Sequence, residues 1–387
     1  MTFDQSQNRG SSRDHHENRK NSLRHLFKKD FKQTFHDFRR GDLKRSLRRD
    51  LQEIRDFYLD EERRGRLASM SRIKRWIYML AWLMKGLFLK LTPTRRVLLL
   101  ISLVLLISFR FSSGEQGETS FGFNQPVLSV LILLFILMLE LKDKLLARDE
   151  LETGRSVQLA LLPDKNPRLP GWDIWLFTRP ANDVGGDLVD YLELQKNRLG
   201  VALGDVSGKG LGAALLMAKL QATFRALVRH FDSLDELGVQ INEILCRDGL
   251  PNRFATLLYL ELTSGSGSLR VLNAGHIPPV IFKGTGLEKL PPVAMPLGAM
   301  SSVAYSEQRL EVQPGEILLV YSDGVTEARN EEGIFFGEER LMDLLPEIDG
   351  LTAEAAGQYL LTEIERFVGE ARYSDDLSLI LMKRIDH

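Results

Sequence analysis

From Phe121 to Leu139 the chain runs for nineteen residues without a charge, close to the ~20 apolar residues a helix needs to cross a bilayer. A second uncharged run, Val97 to Phe109, holds thirteen residues, and Arg95, Arg96 and Arg110 at its ends can snorkel and lengthen it. Together they predict a two-span transmembrane hairpin over residues 93–140. The turn between the runs carries Glu115 and Glu118 but no Lys or Arg, whereas Arg95, Arg96, Lys142, Lys144 and Arg148 lie at the outer ends. Basic flanks favour the cytoplasmic side. The expectation is therefore a multi-pass protein of the inner (cytoplasmic) membrane, with its N-terminal region and its C-terminal domain both in the cytoplasm.

The two flanking parts differ in charge. Residues 1–96 hold about twice as many Lys and Arg as Asp and Glu, and the remainder is acidic by nearly the same margin, so the formal net charge is only −1. The single cysteine, Cys246, excludes an intramolecular disulfide and any Cys-based metal site. No secretory signal opens the chain. Residues 1–20 are polar and are expected to be disordered. Over residues 21–92 the apolar positions Phe27, Phe31, Phe35, Phe38, Leu43, Leu47, Leu51 and Ile54 recur at helical spacing among Lys and Arg. Two readings stay open there: a peripheral helix on anionic lipid, or a small bundle with a solvated charged face. Trp76 to Leu91 reads as an interfacial helix because Lys85 and Lys90 interrupt it. No nucleic-acid-binding motif is recognised, so nucleic acid is not an expected partner.

Residues 141–163 are strongly helix-forming up to Pro163 and predict a helical connector, with a homodimer along it as a further expectation. From residue 164 to 387 short β-like runs (WDIWLF, DLVDYLEL, RLGVALG, FATLLYLEL, SLRVLN, PPVIF, EILLVYS, LSLILMK) alternate with helical stretches near residues 209–229, 234–247, 338–345 and 353–368. Hairpin-like turns as well as helices separate the strands. The pattern predicts an α+β domain with mainly antiparallel sheets.

Acidic residues stand where strands meet glycine-rich turns: Asp187 in DVGGDLVD, Asp205 in ALGDVSGKG, Asp323 in VYSDGVTEA, and Asp375 with Asp376 in YSDDLSLIL. A single Asp-Gly step is an ordinary turn. If these ends converge, the carboxylates would raise one another's pKa and require cations, and Mg²⁺ or Mn²⁺, hard ions that take oxygen ligands, would meet that need. Spacing does not prove convergence, and the residues alone lead to a candidate divalent-metal hydrolase.

The ordered set QLALLP (Gln158 to Pro163), PANDVGGDLVD (Pro180 to Asp190), GDVSGKG (Gly204 to Gly210), NAGHIPP (Asn273 to Pro279), YSDGVTEA (Tyr321 to Ala328) and SDDLS (Ser374 to Ser378) closely resembles the SpoIIE-type, RsbU-like branch of the metal-dependent PPM, or protein phosphatase 2C, serine/threonine phosphatases. The resemblance covers about residues 150–385. It implies a PPM-type αββα sandwich, two Mn²⁺ or Mg²⁺ ions, and hydrolysis of phosphoserine or phosphothreonine by attack of a metal-bound water. The implied substrate is a phosphorylated partner, of the STAS anti-sigma-factor-antagonist type. Carried over, Asp205 matches the bridging ligand and Val206 offers its carbonyl. Asp187, Asp323 and Asp375 match the other carboxylates, with Asp376 as the alternative in the DD pair. Leu188 and Val189 replace frequent aromatics, and Ser378 replaces a common Thr.

His276 is a candidate general acid or a turn residue, and Arg179 is a candidate phosphate contact or half of a surface ion pair. GDVSGKG lacks the spacing of a nucleotide-binding P-loop, and the GGD of Gly185 to Asp187 lacks the Glu-Phe that completes a diguanylate cyclase signature. Two rivals to a protein phosphatase remain: a catalytically silent phosphoprotein-binding module and a metal-dependent hydrolase of a small phosphoester.

Overall fold

The computed structural model describes residues 71–112, 125–195, 197–249, 252–284, 286–291 and 294–386. The tail predicted over residues 1–20, and the amphipathic region over 21–92 as far as residue 70, lie outside them. The chain divides between Leu141 and Lys142 into two compact units.

The first unit contains α1 (Arg72–Lys90), α2 (Pro93–Ser112) and the start of α3 (Gln125–Leu161). α2 and α3 form an antiparallel hairpin. Ser102 and Ser129, both buried, share a 2.8 Å hydroxyl contact, and the Ser129 hydroxyl also donates to the Ser102 carbonyl at 2.9 Å. Nearer the open end, Arg95 pairs with Glu140 at 2.6 Å. Among the described residues no helix is long and apolar enough to cross a membrane, which corrects the two-span reading of residues 93–140. α2 carries three arginines within its twenty residues. The uncharged part of α3 runs only from Gln125 to Leu139, about 22 Å at 1.5 Å per residue, against a hydrocarbon core of about 30 Å.

The second unit is a four-layer sandwich. Its strands are β1 (Trp172–Arg179), β2 (Leu188–Leu194), β3 (Arg198–Val206), β4 (Ala255–Thr263), β5 (Ser268–Ala274), β6 (Val280–Phe282), β7 (Leu287–Lys289), β8 (Glu307–Glu311), β9 (Ile317–Tyr321) and β10 (Leu377–Arg384). They form two five-stranded sheets, in the orders β1-β10-β9-β6-β7 and β2-β3-β4-β5-β8, and every pairing is antiparallel.

Side chains alternate across a strand, so β9 sends Leu318 and Val320 into the layer between the sheets. Its Ile317, Leu319 and Tyr321 point to the outer face instead. That outer face is covered by α7 (Glu338–Leu344), a 3₁₀ turn (Leu345–Ile348) and α8 (Ala353–Val368). The other sheet is covered by α4 (Leu211–Leu227) and α5 (Leu234–Asp248). Burial on both faces explains why β9 and β10 read as near-continuous apolar runs.

Helix starts follow local capping chemistry: Ser233 accepts from the Glu236 N–H at 3.3 Å and Thr352 from the Ala355 N–H at 3.2 Å. The strands that sequence reading missed, β7 and β8, read LEK and EQRLE. They are charged sheet edges, where apolar alternation is absent because water covers them. One further short helix, α6 (Asp323–Thr326), follows β9.

Candidate functional site

Antiparallel pairing delivers the acidic residues to one end of the sandwich. Asp187 precedes β2 and Asp205 is the next-to-last residue of β3, in a register that sets Leu188 opposite Gly204. Asp323 opens α6 just after β9, and Asp375 and Asp376 lie just before β10, where Leu379 stands opposite Tyr321. The Ser378 hydroxyl, on β10, donates to Asp187 Oδ2 at 2.5 Å and so ties the two sheets together at this end, and within its own sheet Ser378 Oγ lies 2.9 Å from Thr178 Oγ1 of β1.

The carboxylates feel one another. Burial, then the charge of Asp205, holds Asp187 well above the usual carboxylate range, while hydrogen bonds from Ser378 and Ser322 act the other way. Asp205 is pushed up to about 7, by burial first and then by Asp323 and Asp375. Asp323 is raised by burial and then by Asp375 and Glu327, with Lys209 drawing it partly back. A desolvated cluster of hard oxygen donors that repel one another is the donor set a divalent cation of the Mg²⁺ or Mn²⁺ kind satisfies. The Val206 carbonyl and Asp205 Oδ1 both face Gly186: a Cβ built there would stand 3.3 Å from the carbonyl and 3.6 Å from Oδ1, so Gly186 keeps the space beside them open. Among the described residues no three His, Cys, Asp or Glu side chains already close into a ligand group.

Asp376 has a different environment from Asp375. Its Oδ1 accepts from the Ala181 N–H at 2.7 Å, and its Oδ2 accepts from the Gly186 and Asp187 N–H groups at 2.5 and 3.3 Å. These bonds engage both oxygens with the loop that carries Asp187. Asp375 instead is one-third exposed and pairs with Lys209 at 2.9 Å.

His276 is buried and pushed down to about 4 by desolvation, so its imidazole is neutral at ordinary pH. Nδ1 lies 2.8 Å from Thr256 Oγ1, which accepts from the Asp205 N–H at 3.1 Å. His276 thus buttresses the Asp205 backbone. Arg179 pairs with Glu365 at 2.7 Å and lies 4.4 Å over the Tyr373 ring, the ion-pair alternative among the readings above.

Sequence reading did not assign roles to Gln158, Thr256, Ser378 or Lys209. Gln158, Lys209 and Ser378 sit inside the quoted motifs, which was the available signal, whereas Thr256 lies outside them. Asp190 was quoted in the same way: it is fully buried, receives two 2.6 Å hydrogen bonds from Arg225 and one of 3.0 Å from Gln221, and anchors α4 to β2.

Residues 195–385 match the family described as Stage II sporulation protein E (SpoIIE). The chain is 32% identical over 238 residues to Protein IcfG of Synechocystis sp., a match covering 53% of this chain and 37% of that protein. It is 26% identical over 246 residues to the phosphoserine phosphatase RsbU of Bacillus subtilis, covering 61% and 70% respectively. Among solved structures, the SiaA-PP2C domain of Pseudomonas aeruginosa shares the fold with a TM-score of 0.56 at 20% identity, over 63% of this chain and 99% of that one. The chain thus spans little more than a third of the Synechocystis relative.

Proposed function

We propose that the protein is a metal-dependent protein serine/threonine phosphatase of the SpoIIE-type, RsbU-like branch of the PPM family, supported by the match of residues 195–385 to the SpoIIE family and by the similarity to the phosphoserine phosphatase RsbU. The observation that carries this reading is the gathering of Asp187, Asp205, Asp323 and Asp375 at one end of both sheets, with Asp205 raised to about 7 by burial and by the neighbouring carboxylates.

Asp205, the Val206 carbonyl, Asp187, Asp323 and Asp375 would hold two Mn²⁺ or Mg²⁺ ions. Bound there, the ions supply positive charge that acidifies water and offsets negative charge on the phosphoryl group. The chain's own contribution is placement. Ser378 keeps Asp187 oriented through its hydroxyl, Thr256 and His276 hold the Asp205 backbone, and Asp376 fastens the Asp187 loop by its amide hydrogen bonds. Neutral His276, inward and hydrogen-bonded, acts as a positioning residue in this reading.

The substrate we propose is a phosphoserine or phosphothreonine on a STAS-type partner, on the strength of the family resemblance. The same proposal places the α2–α3 hairpin in the inner membrane from the cytoplasmic side, leaving both flanking regions in the cytoplasm. Its support is an inside-out polarity: serines form the helix contact, while Val104 and Leu137 are more than 60% exposed, as expected where the surroundings are lipid. A homodimer along α3 completes it, supported by the exposed Leu145 and Leu146.

Hydrolysis of p-nitrophenyl phosphate and of a phosphoserine STAS protein, with Mn²⁺ or with chelator and alongside Asp205→Asn, tests the proposal. Turnover that needs metal and is lost in the variant is expected. Mn²⁺ binding without turnover of either compound would favour the silent binding module, and preference for nucleotide or sugar phosphates the small-phosphoester hydrolase.

A further inference from the structure

The turn between β3 and α4 reads Ser207-Gly208-Lys209-Gly210, and both glycines have positive φ, 103° and 72°. Glycine adopts such angles readily, whereas a residue with a Cβ is strained. The chain bends sharply on either side of Lys209, and the lysine reaches the segment just before β10. Its Nζ lies 2.9 Å from Asp375 Oδ2 and donates to the Ser374 carbonyl at 2.6 Å. Lys209 also acts on Asp323, opposing the effect of Asp375 there.

We propose that Lys209 is an exchangeable counter-cation of the acidic cluster, competing with a divalent ion for Asp375. The inference rests on the metal-dependent reading above and adds a residue that regulates it. A carboxylate oxygen in contact with an ammonium has fewer lone pairs to offer a divalent ion, which binds oxygen at about 2.0–2.2 Å. An ammonium left beside that ion would also be repelled by it. The side chains of Lys209 and Asp375 are 56% and 32% exposed, so their pairing is of the weak, solvent-screened kind, contributing a factor of about five at most in an equilibrium constant. Lys209 therefore lowers metal affinity without abolishing it, and its long flexible stem lets the ammonium withdraw into water when the ion arrives.

The test is direct titration of Mn²⁺ into the full-length protein by calorimetry, without substrate, comparing wild type, Lys209→Met, Lys209→Gln and Lys209→Arg, with thermal melts reporting on folding. Lys209→Met and Lys209→Gln are expected to bind Mn²⁺ two- to fivefold more tightly, a gain that shrinks as KCl is raised. Lys209→Arg should stay near wild type. Equal or weaker binding by both neutral variants, with wild type binding Mn²⁺, overturns the role of Lys209 and leaves the phosphatase reading standing. Failure of wild type to bind Mn²⁺ overturns both. Two neutral variants are included so that a folding defect in one leaves the comparison intact.

Discussion

Gln158, in the last turn of α3, is joined to Gly185 by two hydrogen bonds: its Nε2 donates to the Gly185 carbonyl at 2.7 Å and its Oε1 accepts from the Gly185 N–H at 2.9 Å. Two residues further on stands Asp187. The connector helix thus holds the backbone that presents a candidate metal ligand. Gln158→Ala leaves two buried backbone groups without partners, at about 1–3 kcal/mol each. We expect a lower thermal midpoint and a several-fold loss of Mn²⁺-dependent hydrolysis. Two residues inserted after Leu151, rotating the preceding helix by about 200°, should alter activity in the full-length protein. Unchanged activity in both variants would remove the coupling.

Asp375 and Asp376 are adjacent in sequence and should separate cleanly by experiment. In Asp376→Asn one acceptor becomes a donor facing backbone N–H groups, so urea denaturation in chelator should register a loss of about 1–3 kcal/mol. Asp375→Asn removes a carboxylate from a mutually repelling set. It should leave metal-free stability unchanged or slightly raised while weakening Mn²⁺ binding. The reverse pattern would exchange the two roles.

Metal binding should depend on pH through Asp205. Its folded pKa is raised from 3.8 to about 7, so the stability it contributes is present at low pH and is lost as pH rises through about 7. Mn²⁺ needs the deprotonated carboxylate. The increase in melting temperature caused by Mn²⁺ should therefore grow from pH 5.5 to 8 and then level off. An increase independent of pH would place the ion elsewhere.

His276 carries the opposite sign. Burial holds its folded pKa near 4, below the ordinary 6.5, so its contribution to stability is complete above about pH 6.5 and is lost as pH falls towards 4. His276→Gln should flatten the stability profile across that window. It should also keep most of the hydrolytic activity, whereas loss of a general acid would cost about 10²- to 10⁴-fold.

The hairpin reading predicts that full-length protein floats with anionic vesicles. Val104→Lys and Leu137→Lys, placed on exposed faces of α2 and α3, should reduce flotation and leave the melting temperature of the sandwich within a few degrees. Flotation insensitive to both would exclude these faces from lipid contact.

Much of the C-terminal architecture was legible because it depends on local chemistry. α8 begins and ends where its capping Thr352 and apolar spacing place it. β9 declares burial on both faces by its unbroken apolar run, and β10 by a run from Leu377 to Met382 interrupted only by Ser378. β7 and β8 were hidden for the converse reason, since their outward charges erase the alternation that marks a strand. The helices of the hairpin were legible, but the spanning length was not: within the described residues the uncharged part of α3 from Gln125 to Leu139 is fifteen residues, about 22 Å of helical rise.

The sequence by itself determined which residue types could form the site and which turns carry them, because an Asp beside glycines at a strand end is a local pattern. Only the tertiary structure decided how adjacent acids divide their work. Asp376 meets three backbone amides and Asp375 meets an ammonium because the strand register and the two sheets bring loops about 165 to 195 residues apart into contact. No periodicity records such long-range placement, and it is that placement that sets the burial and the neighbouring charges raising Asp205 towards neutrality.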